Sequence, residues 1–484
     1  MRKQAIKKIT QKVKKRYKFF SFYVIVIASN KTKHKEKNVI KIETTTEIIE
    51  SKGGLLLAGK VARFSGLRTI KSFAKKKAGD VITCLFGIMV EGKTDFESIG
   101  EKRENLLFKE AFGLPFVFAK ETVRLYLEEM AIDAANIIRQ LRESAVKIIR
   151  KASPQCLLIK GKAYLPVDID TTTMDNSKTK KEEVSRTYQG YDGYHPIFAY
   201  VGKEGFMLDC ELRPGSQHCQ KGTPEFITSL MLKLHKIQPG GRFLFRLDSG
   251  NDSWDTLQAI TGAGKGHYCI IKRNKRREND EEWLKIAKKH GELKEPRKGK
   301  KVWVGMAALH PQKQDEVMSD INCVFEIIER KRDSAGNKLL LPEIEVNSWW
   351  TNLNYAPEKV IELYHDHATS EQFHSELKFD LGVERFASGK FNVNQILLAV
   401  EMNAYNTLRF LGQETIKYES IKIEKCQEQN PVERSRKRLS TVIRDIICVA
   451  GKIVKHANLL IFKIYEKDPI LPVFLRLNDA LGFT

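Results

Sequence analysis

Two short runs of sequence place a carboxylate directly after an apolar, strand-like stretch. Asp248 follows residues 241–247 (GRFLFRL) and precedes a Ser-Gly turn, and Asp170 ends residues 156–170 (CLLIKGKAYLPVDID). Carboxylate oxygens are the ligands that hard divalent cations such as Mg²⁺ prefer. The two aspartates are therefore candidate metal ligands, and the glycine after Asp248 allows a substrate backbone to come close.

Each aspartate has an alternative interpretation. Asp168 lies two residues before Asp170, and alternate residues of a strand point to the same face, so either one could be the ligand. Asp248 could instead cap the following helix, because Asp and Ser both favour that position.

A third polar constellation lies in residues 364–378 (YHDHATSEQFHSELK). Here Tyr364, His367, Glu371 and Lys378 follow one another at intervals of three, four and seven residues. These intervals place the side chains on one face of a helix. Because a polar stripe is also what any surface helix shows, the pattern points to chemistry only in combination with the two aspartates.

The order Asp, Asp, then Tyr-x2-Arg-x3-Glu-x6-Lys resembles insertion-sequence transposases of the DDE class. Tyr364, Glu371 and Lys378 fill that signature, and His367 stands where the signature has arginine. The resemblance implies that Tyr364, His367 and Lys378 contact DNA. Histidine is shorter than arginine and only partly charged at neutral pH, so a weaker phosphate contact is expected from His367.

The same resemblance implies that Asp170, Asp248 and Glu371 are the catalytic residues and the metal ligands. It favours Asp170 over Asp168, because the family commonly has its first aspartate directly before a threonine-containing turn, and Thr171 and Thr172 follow here. Three carboxylates can hold two Mg²⁺ or Mn²⁺ ions about 3.5 to 4 Å apart, which activate the attacking oxygen and stabilise the leaving oxygen of a phosphoryl transfer.

The implied function is a transposase that binds the terminal inverted repeats of an insertion sequence, cleaves the DNA and transfers its strands. Its implied partners are double-stranded DNA and a second copy of the chain in a synaptic complex. Two alternatives remain: a structure-selective nuclease of the same fold, and a catalytically inactive DNA-binding derivative. A nuclease would cut DNA without joining strands, whereas a transposase does both. The intact carboxylates disfavour an inactive derivative.

The elements that must position these residues follow a recognisable order. Strands are predicted at 156–170, 195–201, 205–212, 241–247 and 267–271, with helices at 224–237 and after the Ser-Gly turn through residue 263. A β-rich stretch and a helix carrying Glu371 follow. This order is similar to the RNase H-like core of DDE transposases with an insertion before the glutamate helix, and it predicts a mixed α/β fold.

Changes in apolar periodicity divide the chain into six predicted segments. They are a basic leader (1–38), a helical DNA-binding domain (39–152), the first part of the catalytic core (153–272), a β-rich insertion (273–353), the second part of the core with the glutamate helix (354–415) and a C-terminal helical region (416–484) with one or two helices at 440–465. Within the helical domain, residues 59–67 could be half of a helix-turn-helix, but an ordinary helix followed by a glycine turn is the favoured alternative.

Composition favours a globular protein with a polyanionic partner. Hydrophobic residues make up 42% and charged residues 30%, and the net charge is +23. The eight cysteines form no C-x-x-C pair, which argues against a disulfide framework or a zinc ribbon. The apolar run 19–28 is too short to span a bilayer, so a strand or a DNA-contacting arm is favoured over an export signal. A cytoplasmic, nucleoid-associated protein without a membrane segment is expected.

Tryptophans near the predicted site have two interpretations. Trp303, Trp349 and Trp350 could stack on a displaced base. Packing in the core is the favoured alternative, because tryptophan is buried in most proteins.

Overall fold

A sheet of ten strands carries Asp170 and Asp248. The computed structural model describes residues 23–27, 40–307, 321–333, 335–426, 435–456 and 459–482. Its strands are β1 (Tyr23–Ile27), β2 (Ile40–Thr44), β3 (Ile48–Glu50), β4 (Leu157–Ile159), β5 (Lys162–Thr171), β6 (Met174–Asp175), β7 (Ser185–Arg186), β8 (Asp192–Tyr194), β9 (Ile197–Val201), β10 (Phe206–Glu211), β11 (Phe243–Leu247), β12 (His267–Lys272), β13 (Gly291–Arg297), β14 (Lys300–Ala307), β15 (Asn322–Arg332), β16 (Lys338–Thr351), β17 (Gly451–His456) and β18 (Leu459–Lys463).

The helices lie mainly before and after this sheet in the chain. They are α1 (Leu55–Ser65), α2 (Ala78–Val90), α3 (Glu97–Gly100), α4 (Leu106–Phe112), α5 (Lys120–Met130), α6 (Ala134–Ala152), α7 (Thr223–Ile237), α8 (Trp254–Thr261), α9 (Asp280–His290), α10 (Pro357–His365), α11 (Thr369–Ser375), α12 (Phe391–Cys426), α13 (Leu439–Val442) and α14 (Leu471–Ala480). The fold is therefore mixed α/β, as the sequence predicts.

The strands of the main sheet run in the spatial order β10-β9-β5-β11-β12-β16-β15-β14-β13, and β4 pairs with the start of β5. Strand β9 is antiparallel to both β5 and β10, whereas β11 lies parallel to both β5 and β12. Helix α7 connects β10 to β11, and α8 connects β11 to β12. The predicted order of strands and helices from 156 to 271 is confirmed, except that residues 156–170 form the hairpin β4–β5 instead of one strand and the short strands β6, β7 and β8 were not predicted.

The central strands are covered on both faces. All five residues of β9 and all five of β11 are buried, which explains why these strands consist almost entirely of aliphatic and aromatic residues. Buried Arg246 in β11 is the exception.

The predicted β-rich insertion extends the same sheet. Strand β16 pairs antiparallel with β12, and β15, β14 and β13 follow outward. The segment also contains α9, which the sequence analysis missed. Asn279 caps this helix, acidic residues occupy its first turn and basic residues its last, and those are local helix signals that outweigh the surrounding β pattern.

The helices before the sheet pack on the long helix α12. Most residues of α12 from Val393 to Leu411 are buried, and they include polar side chains such as Asn394, Asn403 and Asn406. The Asn406 side-chain amide accepts a hydrogen bond from the Met207 N–H and donates one to the Met207 carbonyl, each at 2.8 Å. Helix α12 thus supplies hydrogen-bond partners to the backbone of edge strand β10. The helical segment and the sheet thus share one hydrophobic core.

The helix-turn-helix alternative for residues 59–67 does not fit the structure. Helix α1 is followed by Gly66, which has a φ of 84°, and residues 66–77, including a 3-10 turn (Leu67–Thr69), separate it from α2. A helix-turn-helix joins its helices by a turn of only about three to four residues. A Cβ atom at Gly59 would lie 1.9 Å from the Ala111 carbonyl oxygen, so α1 is packed tightly on α4. This segment is a buried helix followed by a glycine turn.

The C-terminal segment differs from its prediction. Helices were expected at 440–465, but only α13 and a π-helical turn (Ile443–Ile447) precede the hairpin β17–β18. Strand β17 also pairs with β3 near the other end of the chain, and such a long-range partner leaves no local signal. Near the beginning of the chain, β1 pairs with β2, and the rest of the predicted leader (1–38) lies outside the described residues. No helix in the described ranges combines the length and the apolar content needed to span a bilayer.

Asp209 joins the helical segment to the sheet, and its replacement by alanine is expected to destabilise the fold. Its carboxylate is 0% exposed and accepts from Arg142 of α6 at 2.6 Å and Lys233 of α7 at 2.7 Å. Asp209→Ala leaves two cations without their partner and should cost about 3 kcal/mol of unfolding free energy in urea denaturation.

The Glu143–Lys236 pair joins the same two helices but is roughly half exposed, so Lys236→Ala is the matched control, with an expected cost below about 1 kcal/mol. Equal destabilisation by the two variants would contradict this role of Asp209.

Candidate active site

One open cleft gathers the six residues that were predicted to be catalytic or to contact DNA. The cleft has a volume of about 1060 Å³. The predicted catalytic residues and the predicted DNA contacts all line it, namely Asp170, Asp248, Glu371, Tyr364, His367 and Lys378. Residues from two separate strands and one helical segment therefore meet on one surface.

Sheet register explains why the two aspartates are neighbours. In the parallel pair β5–β11, Asp168 lies opposite Arg246 and Ile169 opposite Leu247. Asp170 and Asp248 are each the next residue along, at the carboxyl ends of strands spaced about 4.8 Å apart. The pairing brings the two carboxylates to the same edge of the sheet.

Asp170 lies in a confined polar environment. Its carboxylate accepts from its neighbour's backbone, Thr171 N–H, at 2.8 Å and from the Ser370 hydroxyl at 3.3 Å. Burial and the adjacent Asp248 carboxylate raise the pKa of Asp170 to about 7. Two ionised carboxylates at these positions repel each other, so their ionised forms are unfavourable without a bound cation.

Asp248 is held from its own turn. The Asn251 amide donates to Asp248 Oδ1 at 2.8 Å. The following helix, α8, is capped by Ser253, whose hydroxyl accepts from the Thr256 N–H, and the Asp248 side chain makes no capping hydrogen bond. The capping alternative for Asp248 is therefore wrong.

The structure separates Asp168 from Asp170. Both Asp168 oxygens are bound by the Arg246 guanidinium, at 2.7 and 2.8 Å. Burial alone would raise the pKa of Asp168, but Arg246 and a hydrogen bond from His367 outweigh burial and lower it. With its oxygens engaged inside the protein, Asp168 is less available as a metal ligand than Asp170.

Residues 357–380 form a kinked helical segment rather than one regular helix. A 3-10 turn (Asp366–Ala368) separates α10 from α11, and a π-helical turn (Glu376–Asp380) follows. The predicted common face is therefore preserved only in part. Glu371 is exposed on the cleft wall, whereas Glu376 is buried.

The three predicted DNA contacts differ in their exposure. Tyr364 is half-buried against Trp349 and His367, and burial followed by the nearby aspartates raises its pKa. The Lys378 ammonium donates to the Thr173 carbonyl at 2.6 Å, and burial lowers its pKa. The His367 imidazole is buried and forms a hydrogen bond with Asp168, which is also buried.

The tryptophans pack in the core, which is the favoured interpretation of the sequence. Trp303, Trp349 and Trp350 are all buried. The Trp350 indole donates to Asp252 at 3.0 Å, so this side chain is fixed as well as covered.

His374 is a cleft residue that the sequence analysis missed. Its Nδ1 lies 3.7 Å from Asp170 Oδ2, and burial lowers its pKa to about 3, with smaller contributions from Lys378 and His367. A neutral imidazole therefore faces the first aspartate. Its position three residues after Glu371 was a usable signal, because that interval returns to the same helical face.

The chemistry of the aspartate pair suits a divalent cation. Two adjacent carboxylates offer hard oxygen ligands, and a cation would relieve the penalty that raises the pKa of Asp170. In the described ranges, no three His, Cys, Asp or Glu side chains form a group able to hold a metal ion. Asp170 and Asp248 lie side by side at the ends of adjacent strands, and Glu371 lines the same cleft.

Comparison with known proteins agrees with the resemblance seen in the motif. The sequence matches the family described as transposase DDE domain group 1 over residues 32–482. No curated protein matches the sequence. Among solved structures, the chain is similar to a piggyBac transposase synaptic complex with hairpin DNA, with 8% sequence identity, a TM-score of 0.40, and coverage of 82% of this chain and 80% of that chain.

Proposed function

This chain belongs to the family of transposases with a group 1 DDE domain, and from that premise we propose that it binds the terminal inverted repeats of an insertion sequence and catalyses metal-dependent DNA cleavage and strand transfer. DDE transposases are phosphoryl-transfer enzymes that use divalent metal ions. The observation that carries the proposal is the position of Asp170 and Asp248 on adjacent strand ends, in a cleft that Glu371 also lines.

We infer that the core is RNase H-like. The antiparallel strands β10, β9 and β5 are followed in the sheet by the parallel strands β11 and β12. The first and fourth strands of this core in chain order then end side by side, each with an aspartate. On this interpretation β13 to β16 are the insertion, and the kinked segment after them carries the glutamate.

Asp170, Asp248 and Glu371 are the residues that would hold Mg²⁺ or Mn²⁺, with two ions the expected number. Bound ions supply Lewis-acid activation of an attacking water or 3′-hydroxyl and stabilisation of the leaving oxygen. The protein's part is to orient the carboxylates: Ser370 and Thr171 hold Asp170, and Asn251 holds Asp248.

DNA is the proposed partner of the cleft and of the basic surface. The net charge of +23 favours a polyanion, and Tyr364 and Lys378 line the cleft beside the aspartates. Within the predicted domain division, residues 39–152 are proposed to bind the element ends. A homodimer is proposed because transposition must bring two DNA ends together, and the proposed location is the cytoplasm, at the nucleoid.

A cleavage and joining assay tests the proposal. The full-length protein is incubated with Mg²⁺, a duplex carrying the DNA that flanks its gene and a supercoiled target plasmid. Strand breaks at the element ends and joined products are expected, and both should disappear with EDTA. Strand breaks without joined products would favour a nuclease. DNA binding without strand breaks would favour an inactive derivative. Either outcome contradicts the proposal.

Gly250 tests whether the placement of Asp248 matters for this reaction. A Cβ atom at position 250 would lie 2.9 Å from Cys219 Sγ and 3.2 Å from Asp248 Oδ2, so Gly250→Ala must displace one of them. A small displacement of a reacting group lowers the rate, and a fall in cleavage of about tenfold is expected.

Gly389→Ala is the control for Gly250→Ala, because a Cβ atom there has no neighbour within 4 Å. The single-turnover cleavage rate and the melting temperature are measured for both variants. Wild-type cleavage by Gly250→Ala would show that this turn does not set the position of Asp248.

A further inference from the structure

Four buried hydrogen bonds join the two aspartate-bearing strands to each other and to the segment that carries Glu371. Arg246 of β11 donates to both oxygens of Asp168 on β5, at 2.7 and 2.8 Å, and to the Leu363 carbonyl of α10 at 2.8 Å. His367, in the 3-10 turn after α10, contacts Asp168 Oδ1 through Nδ1 at 2.9 Å. Together these bonds join three separate elements.

Solvent is almost excluded from this network. Asp168 is 2% exposed, Arg246 3% and His367 5%. Burial strengthens each hydrogen bond electrostatically and makes the loss of any partner costly. The relative position of the three elements is therefore fixed by directional contacts as well as by apolar packing.

Each member of the network lies close in sequence to one of the candidate metal ligands. Asp168 precedes Asp170 by two residues on the same face of β5, and Arg246 precedes Asp248 in the same way on β11. His367 precedes Glu371 by four residues, about one helical turn. A shift at any of the three inner positions would move the carboxylate next to it.

We propose that His367 is a positioning residue that sets Glu371 relative to Asp170 and Asp248 through its hydrogen bond to Asp168. This inference rests on the proposed function. It gives His367 a role different from a DNA-phosphate contact, because the Nδ1 atom is committed to a buried carboxylate. It also explains why this position accepts a histidine here.

An arginine at position 367 would be poorly accommodated. The Asp168 carboxylate already holds the Arg246 guanidinium, so His367→Arg would bury a second full positive charge beside a single carboxylate. An uncompensated buried charge is strongly destabilising. The smaller imidazole reaches the same carboxylate through a single hydrogen bond from Nδ1.

The test separates positioning from DNA binding and from general stability. In His367→Ala, single-turnover cleavage of the element-end duplex should fall about 100-fold, the scale expected for a misplacement of about 1 Å, while the Kd for that duplex stays at the wild-type value. His367→Asn should restore most of the rate, because its amide nitrogen occupies nearly the place of imidazole Nδ1. His367→Gln should not. His365→Ala, at an exposed position of the same segment, is the control and should leave every readout unchanged.

Three results would overturn this role: wild-type cleavage by His367→Ala, a loss of DNA affinity that accounts for the whole loss of rate, or equal rates for the Asn and Gln variants. If the wild type cleaves no DNA, the proposed function fails, and hydrogen exchange still tests the connection itself. Amides of residues 363–371 should exchange faster in His367→Ala than in the wild type and return to wild-type protection in His367→Asn. Unchanged amide hydrogen exchange in His367→Ala would refute the positioning role of His367, whether or not the protein cleaves DNA.

Discussion

Asp248→Asn is expected to lower Mg²⁺-dependent DNA cleavage by about 10³-fold, the scale on which removal of a preorganised electrostatic group slows an enzyme. The same change should not destabilise the protein. Asp170 and Asp248 carry like charges on adjacent strand ends, and Asp248 is one of the groups that raise the pKa of Asp170. Removing one charge therefore relieves repulsion in the protein without bound metal.

The two properties are measured on one preparation, by single-turnover cleavage of an element-end duplex and by thermal unfolding in EDTA. Asp255→Asn is the matched control, because Asp255 follows Asp248 closely in the chain but is exposed on α8. It should leave both properties unchanged. A large fall in melting temperature for Asp248→Asn would mean that the carboxylate has a structural role instead.

Glu371 and Glu376 are expected to respond in opposite ways to replacement by glutamine. Glu376 accepts from Arg409 at 2.9 Å, from Arg436 at 3.0 Å and from the Leu439 N–H at 3.1 Å, so it joins the kinked segment to α12 and α13. Arg409 is 1% exposed, and Glu376→Gln leaves its charge without a full partner. A loss of about 3 kcal/mol of unfolding free energy is expected.

Glu371→Gln should leave that free energy unchanged, because Glu371 is exposed on the cleft wall. Its cleavage rate should instead fall about 10²- to 10³-fold, as expected for loss of a charge that acts on the reacting groups. Urea denaturation and single-turnover cleavage of both variants give the comparison. If Glu376→Gln were fully stable and inactive while Glu371→Gln stayed active, Glu376 and not Glu371 would be the third catalytic carboxylate.

Local patterns in the sequence were sufficient for strand β11, which precedes Asp248, and for helix α7. The apolar run before Asp248 and the helical spacing of residues 224–237 each depend on neighbouring residues only, and both elements form as predicted. The motif spacing also selected residues that line a single cleft. These features follow from the periodicity of apolar and polar residues in strands and helices, which depends only on residues close together in the sequence.

Long-range pairing could not be predicted in the same way. The contact of β16 with β12 makes the insertion part of the main sheet, and β17 pairs with β3 from the other end of the described chain. The partners of His367 depend on such a register, since Asp168 and Arg246 face each other only after β5 and β11 align. Helix α9 is a different case, because its caps and charges were visible in the sequence.

Binding of Mn²⁺ to the full-length protein without DNA tests the central claim most directly. Free Mn²⁺ gives a six-line electron paramagnetic resonance signal that is lost on binding, so titration of the wild type, Asp170→Asn and Asp248→Asn gives the affinity of each. The wild type is expected to bind Mn²⁺, and each substitution should weaken that binding strongly, while Asp255→Asn should not. Equal Mn²⁺ affinity in the wild type and both aspartate variants would contradict a metal site at the ends of β5 and β11.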